Sequence, residues 1–177
     1  MVLNNISKAN ITIMPEYFDR YINLVEDNNL NDAFKNSIKD LWILDLDKLT
    51  KLHSKTYAAG KWTVNGILQH LSDTERILCA GILRFSRNED AHIISYNEEA
   101  IAANANADDK TVEQIIEELI TVRKATYALY RTFDSNDFIK SGINWKHRIS
   151  VVAMGYNVIG HQIHHLNVIK DKYYSLV

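Results

Sequence analysis

A single proline and six glycines are the only obligatory backbone punctuation in this 177-residue chain. So few breaks favour long helices over many short strands joined by tight turns. Pro15 stands just ahead of EYFDRYINLV, where its fixed φ suits a first helical turn, so a helix is expected to open there. Leu30, Phe34, Ile38, Leu41 and Trp42 recur at three- and four-residue spacing, which predicts a second helical segment with one buried face, running to about Lys51.

The stretch HSKTYAAGKWT breaks this pattern at Gly60. Thr63 then caps a helix that carries Val64, Ile67, Leu68, Leu71, Ile77, Leu78 and Leu83 toward Ser86. From Arg87 to Asp109 the periodicity lapses into a polar, alanine- and asparagine-rich stretch, read as a crossover loop with one short helix. Thr111 and Gln114 match a capping box, opening a third long helix through Ile115, Leu119, Val122, Ala125, Tyr127, Leu129 and Phe133. DSNDFIKSGINWKHR is a second connector with Gly142 as its turn residue, and a last helix runs from Ser150 to Tyr174. Four main helices, one long crossover and no clear strand predict an all-α four-helix bundle. No repeat or low-complexity linker divides the chain, so residues 1–177 are read as one domain.

Charge and cysteine content narrow the function classes. A net charge of −2, with no run of five like charges, provides no field for nucleic acid. The lone Cys79 excludes an intramolecular disulfide and a cysteine-rich zinc module. The N-terminus lacks a signal-peptide pattern, and no stretch of eighteen apolar residues occurs. The chain therefore reads as a soluble, unexported protein, compatible with the cytoplasm, with no membrane partner.

The chemistry gathers in GHQIHHLNVIKDKYY, residues 160–174, which crowds three histidines into five positions. On a helix His161 and His165 project from nearly one face, one turn apart, and can chelate a single ion. His164 lies within about 60° of His161, so spacing alone does not choose between the two; the 161/165 pair is preferred. Catalytic sites commonly use three protein ligands and leave a position open. His70 is the best third ligand, because it sits mid-helix among apolar residues, where an imidazole is costly to bury unless paired or ligated. A single such histidine is more often a hydrogen-bonded core residue, but a His-x-x-x-His pair with a third buried histidine is rarer by chance. His53, His92 and His147 fall at helix ends or in loops and read as surface residues.

His161-Gln162-Ile163-His164-His165 has the spacing of the zincin motif His-Glu-x-x-His. A glutamine amide cannot accept the proton that the zincin glutamate takes, so a peptidase of that kind is not expected.

The segments YAAGKWTVNGILQHLSDTER (57–76), LRFSR (83–87), ELITVRKAT (118–126) and GHQIHHLNVIKDKY (160–173) resemble the DinB-like superfamily, most closely its YfiT-related branch. The resemblance spans nearly the whole chain. It implies an antiparallel four-helix bundle, frequently dimeric, with one divalent metal ion, zinc or nickel by preference, held by His70, His161 and His165. His164 matches the adjacent histidine, which is not usually a ligand. It also implies hydrolysis, or transfer of a low-molecular-weight bacterial thiol to a small electrophilic substrate, and of these thiol transfer is favoured. The rival reading is a non-catalytic, stress-associated binding module tied together by its metal.

Two positions depart from the family pattern. The loop often reading Gly-Phe-Asp is Ser95-Tyr96-Asn97 here, and the acidic residue expected after the first ligand of the last helix is Gln162. Asn97 can hydrogen-bond but cannot act as a base. Asp73, Asn97 and Gln162 are therefore the candidates for orienting a ligand or positioning substrate. Asp73, three residues past His70, lies on roughly the ligand's side. Arg123, inside an apolar stretch, needs a carboxylate such as Glu75 or Asp73, as structure rather than catalysis. Trp62 is read as closing one end of the bundle. Cys79, about half a turn out of phase with His70, is read as a core thiol pointing away from the metal.

Overall fold

Capping side chains set where the long helices begin. In a computed structural model that describes residues 2–89 and 91–177, Asn29, Thr63, Thr111 and Ser150 accept hydrogen bonds from the first-turn amides of four helices. These are α2 (Leu30–Trp42), α4 (Val64–Ser86), α6 (Val112–Tyr130) and α8 (Val151–Lys172). Each cap satisfies an amide that has no intrahelical partner. The capping box of Thr111 and Gln114 is present as its spacing implied. Shorter elements fill the connections: α1 (Asp19–Ile22), α3 (Leu46–Leu52), α5 (Glu98–Asn104) and α7 (Ser135–Ile139), with strands β1 (His92–Ile93), β2 (Ser141–Asn144) and β3 (His147–Ser150). No described helix is long and apolar enough to cross a membrane.

The long helices form a bundle in which α4 packs on α6 and α8, and α2 packs on α6 and α8. The first ten residues of α8, Val151 to Gly160, are all buried, as expected of a helix surrounded by others. Two apolar clusters make the core. One gathers around Phe34, Phe85, Tyr130 and the start of α8, the other around Leu68, Leu119, Ile169 and Tyr173. Along α8 the histidines follow Ile159 of the first cluster and precede Ile169 of the second.

Three expectations change. The helix expected to open at Pro15 starts later and is short: Tyr17 adopts φ 70, outside the helical region, and the one-turn α1 begins at Asp19. The second segment is broken after Trp42, because Asp45 caps a new helix by accepting from Lys48 N; Trp42 is left 63% exposed rather than on the core face. The expectation of no strands is also overturned. β2 pairs antiparallel with β3 and parallel with β1, making a small sheet beside the bundle. Gly142 lies within β2 instead of at the turn, and a Cβ there would come within 2.0 Å of the Phe85 ring. The turn residue is Trp145, at φ 56.

α1 lies against α8 at Gly160, where an added Cβ would meet the Tyr21 carbonyl oxygen at 1.9 Å. Backbone cannot yield as a flexible side chain can. Gly160→Ala is therefore expected to destabilise the fold by about 1–3 kcal/mol, read from the denaturant midpoint. An unchanged midpoint would show that α1 is not seated on α8.

Candidate metal centre

His70 is carried in the middle of α4, while His161 and His165 lie one turn apart on α8; the packing of α4 on α8 brings the three rings together. Their Nε2 atoms converge: His70 to His161 is 3.3 Å, and His161 to His165 is 3.0 Å. Ligating atoms of all three fall within 4.8 Å of one another. Two nitrogens bound at about 2.0–2.1 Å around a tetrahedral ion would be about 3.4 Å apart, so the two spacings to His161 fit such an ion. Burial, as the largest cause, holds all three imidazoles below their ordinary range: His70 at about 4, His165 at about 3, and His161 well below. The shared point therefore disfavours a proton, and three neutral donors suit a divalent cation.

The surroundings orient the rings. With Nε2 turned to the shared point, His70 sets Nδ1 3.3 Å from Thr74 Oγ1, an oxygen that can take its proton in a hydrogen bond and that accepts from the Tyr96 hydroxyl at 3.1 Å. The Trp62 ring lies 4.8 Å from the His70 ring, and its Nε1 donates to Glu99 at 2.8 Å. Tyr21 meets both His161 and His164 edge to face. His164 stays at the rim, lining a second cavity together with His165, Trp62 and Glu99.

The first cavity, about 260 Å³, opens beside His161. Tyr17, Tyr21, Tyr96, Trp145 and Glu98 line it, and Asn157, one turn before His161 on α8, contributes a buried amide. A metal held by the histidines would thus have a small-molecule chamber on its flank.

The remaining candidates fall elsewhere. Asp73 bonds to Gln69 at 3.1 Å and to Arg76 at 3.5 Å; it is Thr74, the next residue, that touches His70. Asn97 caps α5 by accepting from Ala100 N. Gln162, about 100° round the helix from His161, is fully buried and donates to the Ser37 carbonyl, tying α8 to α2. Arg123 pairs with Glu75, as its apolar setting required. Cys79 is only partly buried, in an apolar groove between α4 and α6 rather than in the core. His53 and His92 are exposed, whereas His147 is partly buried and stacked on Tyr17.

Thr74 and Asn157 were accessible to sequence reasoning, since each stands four residues from a histidine on the same helix. Tyr17, Tyr21, Glu98 and Trp145 reach the site from distant segments and carry no local signal. Thr74→Val, which keeps shape but removes the acceptor, is expected to weaken metal binding by about 10–100-fold in competition with a chelating dye. Unchanged affinity would show that His70 needs no such partner.

Fold and histidine cluster together define a helical-bundle protein with a three-imidazole group able to hold a metal ion. The chain belongs to the DinB superfamily, whose model matches residues 11–169. Among solved structures it is similar to YfiT from Bacillus subtilis, described as a probable metal-dependent hydrolase with an unusual four-helix bundle topology. That likeness has a TM-score of 0.64 at 19% identity, over 91% of this chain and 88% of the other. It is also similar to the mycothiol-dependent maleylpyruvate isomerase, with a TM-score of 0.59 at 10% identity, over 88% of this chain and 64% of that one. At these identities the likeness establishes the fold. A search of curated protein sequences found no match.

Proposed function

We propose that the protein is a metal-dependent enzyme that transfers a low-molecular-weight thiol to a small electrophilic substrate. The observation that carries this reading is that His161 belongs both to the histidine group and to the wall of the 260 Å³ cavity. His70, His161 and His165 would hold one divalent ion, zinc or nickel. Such an ion supplies Lewis acidity while its neutral ligands leave its charge undiminished.

The protein's own groups do the rest. Thr74 offers an oxygen to His70 Nδ1, Trp62 packs against that ring, and an aromatic wall lines the chamber. No cysteine, serine hydroxyl with a histidine base, or lysine amine is arranged there as a nucleophile among the described residues; the only cysteine lies in the α4–α6 groove. The nucleophile must therefore be brought in, as a thiol or as water. The name of the isomerase neighbour supports thiol, and the description of YfiT supports water as the second reading. Three donors, with no fourth protein ligand beside them among the described residues, favour a working centre over a structural tie. A cytoplasmic homodimer completes the proposal, supported by the apolar α4–α6 groove that includes Leu83, Val122 and Leu129.

The test supplies zinc- or nickel-loaded protein with cysteine, glutathione, bacillithiol or mycothiol, together with a chromogenic electrophile or an ester and amide panel. Thiol-dependent consumption of the electrophile, lost in a metal-free His161→Ala variant, is the expected result. Turnover without any thiol would replace this reading with hydrolysis. Full metal loading without any turnover would leave the non-catalytic module.

A further inference from the structure

The cavity beside His161 has an unusual composition for a chamber next to a divalent ion. Tyr17, Tyr21, Tyr96 and Trp145 supply four aromatic rings, and among the described residues the only charged side chain in its lining is the carboxylate of Glu98. Aromatic faces carry negative potential, so rings around a carboxylate make a receptor for a positive, weakly hydrated group. Two of these rings already hold cations from outside the lining: the Arg20 guanidinium lies 3.8 Å from the Tyr17 centroid, and the Lys146 ammonium 4.1 Å from that of Trp145.

The backbone offers an independent reason to assign this wall a binding role. Among the described residues four non-glycines have positive φ; two are asparagines, which tolerate it, and two are Tyr17 and Trp145. The hairpin turn accounts for Trp145, but Tyr17 has no such turn to demand it, and a left-handed backbone at a bulky aromatic costs free energy and recurs at ligand sites. Both strained aromatics line the cavity, with their rings 5.3 Å apart and edge to face. The strain sets two rings of the box against each other across the junction of the N-terminal segment and the β2–β3 hairpin.

We propose that this cavity binds the alkylammonium group of a small organic cation, seated between the Tyr17, Tyr21, Tyr96 and Trp145 rings and Glu98, with the rest of the molecule directed toward the histidine cluster. The proposal rests on the reading of this cavity as the substrate chamber. A volume of 260 Å³ is below the range of about 300–1,000 Å³ typical of sites for drug-sized ligands, so the ligand is small. Partial desolvation and the neighbouring Glu99 raise the Glu98 carboxyl above its ordinary range, a cost that an arriving cation relieves.

The test compares choline with 3,3-dimethyl-1-butanol, its uncharged carbon isostere, by isothermal titration calorimetry on metal-free and zinc-loaded protein. Choline is expected to bind about tenfold more tightly than the isostere. Glu98→Gln, at an exposed position where folding is not at stake, should remove most of that preference while leaving the isostere's affinity unchanged. A preference below about threefold, or one indifferent to Glu98→Gln, would overturn the proposal. The two readings fail separately. Choline preference in a protein that binds no zinc would sink the metal-dependent function and leave the cation site standing. Stoichiometric zinc without choline preference would do the reverse.

Discussion

Protein purified without a histidine tag or chelator is expected to carry about one equivalent of zinc or nickel, and His161→Ala to carry almost none. His161 is the middle donor, 3.3 Å from His70 and 3.0 Å from His165, so its loss leaves two imidazoles on different helices with no bridge between them. Removing an outer partner of a ligand already costs about 10–100-fold in affinity, and removing the ligand itself should exceed that. The helical signal in circular dichroism should survive, because His161 is only partly buried and Val151 to Gly160 pack without it. Metal content equal in both proteins would sink the three-histidine centre. So would the absence of metal from wild type after reconstitution.

The same donors set a pH dependence in the metal-free protein. The fold holds His70 at about 4 and His165 at about 3, through burial first, whereas the unfolded chain titrates near the ordinary 6.5. Between those limits the unfolded state binds more protons, so stability is complete above about pH 6.5 and is lost as the pH falls. Each histidine kept neutral contributes a slope of about 1.4 kcal/mol per pH unit in that window. Denaturant midpoints measured from pH 7 down to pH 5 should fall, and His165→Gln should flatten the curve. A midpoint independent of pH would contradict the buried, neutral state of these rings.

The second large effect lies outside the centre. Arg123 and Glu75, 1% and 3% exposed, meet through Nε and Nη2 at 2.9 to 3.0 Å, and Arg123 Nη2 also donates to the Val158 carbonyl. Glu75→Leu leaves a guanidinium buried without its counter-ion, and the expected cost is about 3–5 kcal/mol. Replacing both residues with leucine should recover most of that loss, since two buried charges disappear together. Chemical denaturation of the two variants measures this. A single variant within about 1 kcal/mol of wild type would mean that the pair contributes little to the fold. Retention of stoichiometric metal by the double variant would establish the pair as structural, although it borders His161.

The legible parts of this protein were those with a local signature. Thr63, and Thr111 with Gln114, mark their helix starts because a cap depends on residues within one turn. His161 and His165 were paired by helical period alone. Failures occurred where neighbours in sequence were poor guides to neighbours in space. Asp45 stopped the second helical segment by offering its first turn a competing cap. SGIN and HRIS are too short and too mixed to show alternation, and they became strands because pairing with each other and with β1 satisfied their backbone.

The site divides in the same way. By itself the sequence determined the long helices, the caps at Thr63 and Thr111, the facing pair on the last helix, and the need of Arg123 for a carboxylate, because all of these follow from helical geometry or from the cost of burying charge. Only tertiary structure decided that Thr74 rather than Asp73 meets His70, and that Gln162 turns away to hold α2. It alone gathered Tyr17, Tyr21, Tyr96, Glu98 and Trp145 around one cavity. The physical reason is separation along the chain. A helix turn relates residues three or four apart, while the cavity wall is assembled from an N-terminal turn, a crossover and a hairpin whose positions are set by what they pack against.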